Sequence, residues 1–216
     1  EEYLDHIRKA KEATSIPIIA SINGVSLSGW RNYAKQIQEA GADGIELNVY
    51  YLSTNQEPDG RAIEERYLEV IKSVKEEVTI PVAMKLSPFF SSLANMTDQL
   101  ARAGANGLVL FNRFYQPVIN PDELRVEPQV VLSSSADKYL TMRWIAILYG
   151  RVSADFAASS GIHSSQDVIQ MLTAGASITQ VTSVLLEKKL GWINETVKSL
   201  SDWLDKRGYS GVSEII

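Results

Sequence analysis

The chain has no cysteine. Structural disulfides, zinc–thiolate sites, an iron–sulfur cluster and a cysteine nucleophile are therefore excluded within it. A reducing compartment is compatible with that lack. Histidine is nearly absent as well, with His6 in the first helical pattern and His163 in a loop. No His/Asp/Glu cluster keeps metal-ligand spacing, so no metal site is expected, and His163 reads as a loop histidine. Basic charge is not in excess: 21 Lys and Arg against 26 Asp and Glu give a net charge of -5, which argues against a general nucleic-acid binder. No apolar run approaches ~20 residues, so no membrane span is expected. The G-x-G-x-x-G turn of dinucleotide-binding open sheets is missing too.

What is present is a repeat. "EAGADGIELNV" (39–49), "RAGANGLVLFN" (102–112) and "TAGASITQVTS" (173–183) each place Ala-Gly-Ala between a helical pattern and an apolar run. That spacing predicts a helix closed by glycine, a tight turn and a buried strand. "TSIPIIASING" (14–24) and "VTIPVAMKLSP" (78–88) alternate with it, with proline opening the strand. The predicted order is helix 1–13, strand 17–22, helix 29–40, strand 44–49, helix 61–77 and strand 81–86. Helix 91–103, strand 107–112, an irregular stretch 114–137, helix 139–150 and strand 154–158 follow. Helix 164–174, strand 177–182 and one or two helices to about 206 complete it. Strict alternation with nearly continuous apolar strands predicts a parallel α/β sheet covered by helices. A chain of 216 residues buries about 70% of its unfolded surface, so a single domain over 1–216 with a substantial core is expected. Six strands leave two architectures: an open doubly wound sheet, or a (β/α)8 barrel lacking two strand–helix units. The helical start without a cap residue predicts an N-terminally incomplete chain.

In parallel α/β folds the chemistry lies at the carboxyl ends of the strands. Those ends carry Ser21 and Asn23, Asn48, Lys85 and Ser87, Asn112 and Arg113, Ser159 to Gly161, and Thr182 with Ser183. One concave site explains so many polar ends jointly, although any single serine or threonine can simply cap a helix. Lys85 follows "PVAM" inside an apolar strand. Buried unpaired it would cost several kcal/mol, so it must reach water, a carboxylate such as Glu46, or an anionic ligand. Ser160 and Gly161 precede one helix start, and Thr182 and Ser183 another, where backbone N–H groups can hold an anion. Trp144 and Tyr149 are expected to face the core, and Phe114 and Tyr115 to flank a planar ligand.

These segments resemble the dihydroorotate dehydrogenase family, flavin enzymes on a (β/α)8 barrel. "IELNVYY" is similar to the family's E-L-N segment, "PVAMKLSPFF" to its K-L-P-P-Y-F strand, and "VLFNRFYQP" to the asparagine-bearing strand. "SSGIHSSQDVIQMLTAGASITQVTSVLLEK" is similar to its phosphate-binding end, and "LDKRGYSGVSEI" to its tail. The resemblance implies FMN as cofactor and a dihydroorotate-like small molecule as substrate, in pyrimidine biosynthesis and a cytoplasmic setting. It allows a homodimer and gives no role to nucleic acid. It implies that Ser21 or Asn23, Asn48 and Lys85 line the flavin, Lys85 stabilising its reduced form. Ser160, Gly161, Thr182 and Ser183 hold the phosphate, and Asn48, Asn112 and Arg113 meet substrate. The family's general base is a cysteine or serine just past E-L-N; here Tyr51 stands at that position, with Ser53 two residues on. An FMN- or phosphate-binding barrel with lost or different activity is the alternative. The family's first two strands have no counterpart, which matches the barrel lacking two units.

Overall fold

A computed structural model of the chain describes residues 1–24 and 26–216. In chain order the elements are α1 (Glu2–Ala13), β1 (Ile19–Ile22), α2 (Leu27–Glu39), β2 (Gly44–Asn48), α3 (Gly60–Lys75), β3 (Val82–Leu86), α4 (Leu93–Arg102) and β4 (Gly107–Leu110). They continue with β5 (Val118–Asn120), β6 (Arg125–Glu127), a 3₁₀ turn (Ser135–Asp137), α5 (Lys138–Leu148) and β7 (Asp155–Ser159). The last are α6 (Ser165–Thr173), β8 (Ile178–Gln180), α7 (Ser183–Lys188), α8 (Gly191–Asp205) and a 3₁₀ turn (Val212–Glu214). The chain divides into two compact units, residues 1–110 with 148–157, and residues 111–147 with 158–216.

The Ala-Gly-Ala repeat forms the helix stops it predicts. Gly41, Gly104 and Gly175 have φ of 93°, 111° and 110°, left-handed values that glycine adopts without a Cβ penalty. After each, the alanine N–H reaches back five residues: Ala42 to Ile37 at 3.3 Å, Ala105 to Leu100 at 3.0 Å, and Ala176 to Met171 at 3.0 Å. That closure satisfies carbonyls the helix end would otherwise orphan. The chain then turns directly into β2, β4 or β8.

In the first unit, β1/β2, β2/β3 and β3/β4 pair in parallel. Leu47 stands opposite Met84, and Met84 opposite Leu108, all fully buried. Helices supply the covering layer: Trp30, Ala34 and Ile37 on α2, and Tyr67, Val70, Ile71 and Val74 on α3, fall at helical spacing and are buried. One face of these strands, with Ala20, Ile45, Leu47, Val82 and Met84, is apolar and buried, and the other carries Ser21, Glu46 and Lys85.

The hydrogen-bonded strand order is β1-β2-β3-β4-β7-β8. It follows the sequence without reversal once the separate β5/β6 pair is set aside. A doubly wound sheet reverses its order at a switch point, whereas a barrel does not. Six strands of the (β/α)8 order are therefore present among the described residues.

Two expectations are corrected. The stretch 114–137 is not wholly irregular: β5 and β6 pair antiparallel, with Val118 opposite Glu127 and Asn120 opposite Arg125. Asn120 Oδ1 accepts from the N–H groups of Asp122 and Glu123, turning the chain at "NPDE". Three-residue strands are too short to show a period. Tyr149 is exposed rather than core-facing, and Trp144 is half-buried. The buried stripe of α5 runs instead through Lys138, Thr141, Ile145 and Leu148.

Truncating Leu47, fully buried in β2, to alanine should cost about 2–5 kcal/mol in urea unfolding. The same change at Leu52, 62% exposed, should stay within about 0.5 kcal/mol.

Candidate functional site

The first unit gathers its polar groups at the carboxyl ends of β1, β2 and β3. Register sets Ser21 beside Glu46, and Asn48 beside Lys85. Glu46 is 5% exposed in an apolar strand. Its Oε1 accepts from Ser21 Oγ at 2.8 Å and lies 3.8 Å from Lys85 Nζ. Lys85 therefore has the carboxylate that its position demands. Asn48 Oδ1 is buried and has no hydrogen-bond partner among the described residues. Tyr3 of α1 donates from its phenol to the Ser21 carbonyl at 2.9 Å. Burial pushes that phenol above its ordinary value, and the Glu46 charge adds to the shift. Asn23 is exposed beyond β1, and buried Ser87 accepts from the Phe89 N–H at 3.3 Å.

Past β2, half-buried Tyr51 accepts from Arg66 Nη1 at 2.9 Å, and the guanidinium carbon lies 5.3 Å from the ring centroid. Ser53 is exposed in the same loop. Tyr67, one residue along α3 from Arg66, packs edge-on to Phe90. Burial pushes Tyr67 up to about 12, with Tyr51 adding to the shift.

In the second unit, Asn112 is buried and its Nδ2 has no partner among the described residues. Exposed Arg113 donates from Nη1 to the Val131 carbonyl at 3.0 Å. Phe114 is half-buried, and Tyr115 is 50% exposed. β7 ends in a turn with two left-handed residues, Ser160 at φ 80° and Gly161 at φ 73°. A Cβ on Gly161 would lie 2.2 Å from the Lys138 nitrogen, so backbone meets backbone there with no room for a side chain. Thr182 stands at the N-cap position of α7 without a side-chain capping bond, and Ser183 Oγ accepts from the Ser133 N–H at 3.1 Å.

The sequence reading missed four residues around that turn, Ser133, Lys138, Asp167 and Glu187, and took His163 only as a loop histidine. His163 Nε2 lies 3.1 Å from Ser133 Oγ, and its Nδ1 lies 3.5 Å from Glu187 Oε2. Asp167, 2% exposed, pairs with Lys138, 7% exposed. Burial works against the Asp167 charge, but Lys138, the His163 N–H and Ser164 outweigh it and hold the carboxyl below the usual carboxylate range. A basic residue opening one helix and an acidic residue in the first turn of another were the only available signal.

Three outcomes follow from this geometry. Gly161→Ala should lose at least about 2 kcal/mol in denaturant unfolding, from the backbone clash and the left-handed penalty together. Ser160→Gly, which removes that penalty, should gain up to about 1 kcal/mol. Asp167 has a depressed folded value, so its contribution to stability is complete above its unfolded value of about pH 4 and fades as the pH falls through the folded one. Acid unfolding of Asp167→Asn should show a shallower slope below about pH 4 than the parent.

The sequence matches the family described as dihydroorotate dehydrogenase over residues 1–204. Among similar proteins, the dihydroorotate dehydrogenase B (NAD(+)) catalytic subunit of Saccharolobus solfataricus is 28% identical over 195 residues, 89% of this chain and 66% of the relative. That of Pyrococcus abyssi is 28% identical over 230 residues, covering 100% of this chain and 73% of the relative. That of Methanosarcina mazei is 27% identical over 219 residues, covering 99% and 69%. The chain thus spans roughly two thirds to three quarters of the length of these relatives. The family match along nearly the whole chain agrees with the barrel strand order. The chain belongs to the dihydroorotate dehydrogenase family of oxidoreductases.

Proposed function

We propose that this chain binds FMN and oxidises dihydroorotate, or a closely similar ring, to the unsaturated product. The observation that carries this reading lies at two strand ends: Asn48 Oδ1 in the first unit and Asn112 Nδ2 in the second are buried with no hydrogen-bond partner among the described residues, a condition shared there only by Gln170 Oε1 on α6. A buried polar atom without a partner costs about 1–3 kcal/mol, and a polar ligand would remove that cost. One offers an acceptor, the other a donor.

Each unit, taken by itself, carries groups that suit FMN. Lys85 supplies a cation at a strand end, and the bare backbone at Gly161 lets an anion come close. Ser160, Gly161, Thr182 and Ser183 would hold the phosphate; Ser21, Asn48 and Lys85 would line the ring. FMN, when bound, supplies the hydride acceptor that no side chain can replace. Lys85 then offsets negative charge developing beside it. Asn48 and Asn112 orient the substrate, and Arg113 offers a planar fork to its carboxylate. As hydride leaves C6 of the substrate, a proton must leave C5. Tyr51 Oη is proposed to take it, with Arg66 fixing the phenol's direction. The setting is proposed to be cytoplasmic pyrimidine biosynthesis.

Anaerobic addition of dihydroorotate to the FMN-loaded intact protein should bleach the flavin absorbance. Tyr51→Phe should slow bleaching by about 10²-fold or more. Unchanged reduction in that variant removes Tyr51 from proton transfer. Bound FMN that dihydroorotate never bleaches favours the alternative, a flavin-binding barrel with a different activity.

A further inference from the structure

We propose that Asp167 and Lys138 are positioning residues that hold the Ser160–Gly161 turn in its anion-binding shape, an inference resting on the FMN reading above. The carboxylate of Asp167 is a hub. Oδ1 takes the Lys138 ammonium; Oδ2 takes the His163 N–H at 3.0 Å and Ser135 Oγ at 3.3 Å. One buried group therefore ties the residues just after Gly161 to the 3₁₀ turn and to the first residue of α5.

The backbone contact explains why this tie matters. Gly161 abuts the Asp137–Lys138 peptide with no clearance for a methyl group. A shift of α5's first residue therefore moves the turn, and with it the direction of its N–H groups. An anion held by backbone donors depends on those directions.

The placement of the pair points the same way. Lys138 opens α5, the end of a helix where a cation is unfavourable to the macrodipole. A buried ion pair is often no more stabilising than apolar residues of similar volume. Ordinary stability therefore gives little reason for the pair, whereas geometry at the turn gives one. Both Asp167 oxygens are engaged by protein donors, so its charge is matched locally beside a turn assigned to an anion.

The test compares FMN with riboflavin, which lacks the phosphate, by fluorescence titration of the intact protein. The double variant Lys138→Met/Asp167→Leu removes the hub while keeping a buried apolar filling. It should fold, lose about tenfold or more in FMN affinity, and keep riboflavin affinity within about twofold. Should it fail to fold, Asp167→Asn replaces it, with an expected loss of about threefold or more for FMN alone. Parental FMN affinity in the folded variant overturns the positioning role and leaves the FMN reading intact. A parent protein that binds FMN no better than riboflavin overturns both. An equal loss for the two flavins also overturns the proposal, because a merely structural defect does not discriminate the phosphate.

Discussion

A glutamate and a lysine on neighbouring parallel strands govern the polar end of the first unit. Little water reaches this face of the strands, where the Lys85 side chain is 19% exposed, so a cation there gains by bringing its counterion. Glu46 is that counterion, 3.8 Å from Lys85 and steadied by Ser21. Register does the rest. Because β1, β2 and β3 pair in parallel with Ser21 beside Glu46 and Asn48 beside Lys85, these polar groups share one face, Asn48 and Lys85 standing two residues beyond Ser21 and Glu46. A slip of one residue would turn those groups to the other face. The fold's hydrophobic pattern and the site's chemistry are in this sense one constraint.

The second unit meets the same difficulty by another route. Lys138 and Asp167 lie 29 residues apart and are both buried. Their pairing joins two helix starts around a turn whose backbone is strained at Ser160 and leaves no side-chain space at Gly161. Packing here is backbone against backbone, with glycine as the only residue that permits it. In the first unit buried Glu46 faces a half-buried Lys85, and in the second Lys138 and Asp167 are both buried.

Much of this was legible in the sequence. The Ala-Gly-Ala repeats marked three helix stops because glycine alone takes that φ cheaply, and the apolar runs after them marked β2, β4 and β8. Polar residues at strand ends pointed to Ser21, Asn48, Lys85 and Asn112, since a polar residue closing an apolar strand needs a reason. The Glu46 partner of Lys85 was visible as well, one strand away with the same parity. Other features were not. The β5/β6 hairpin is too short for periodicity. The misjudged Tyr149 lies one position off a helical stripe whose phase is set by tertiary packing. The Asp167 hub joins residues distant in sequence, and neither SSSADK nor SSQDV announces burial by itself.

The most direct measurement is the visible absorption spectrum of the purified intact protein, recorded before and after incubation with FMN. Flavin binding predicts a yellow protein, or a colourless one that turns yellow and keeps its colour through gel filtration. A protein that stays colourless after incubation with FMN would contradict the account at its centre.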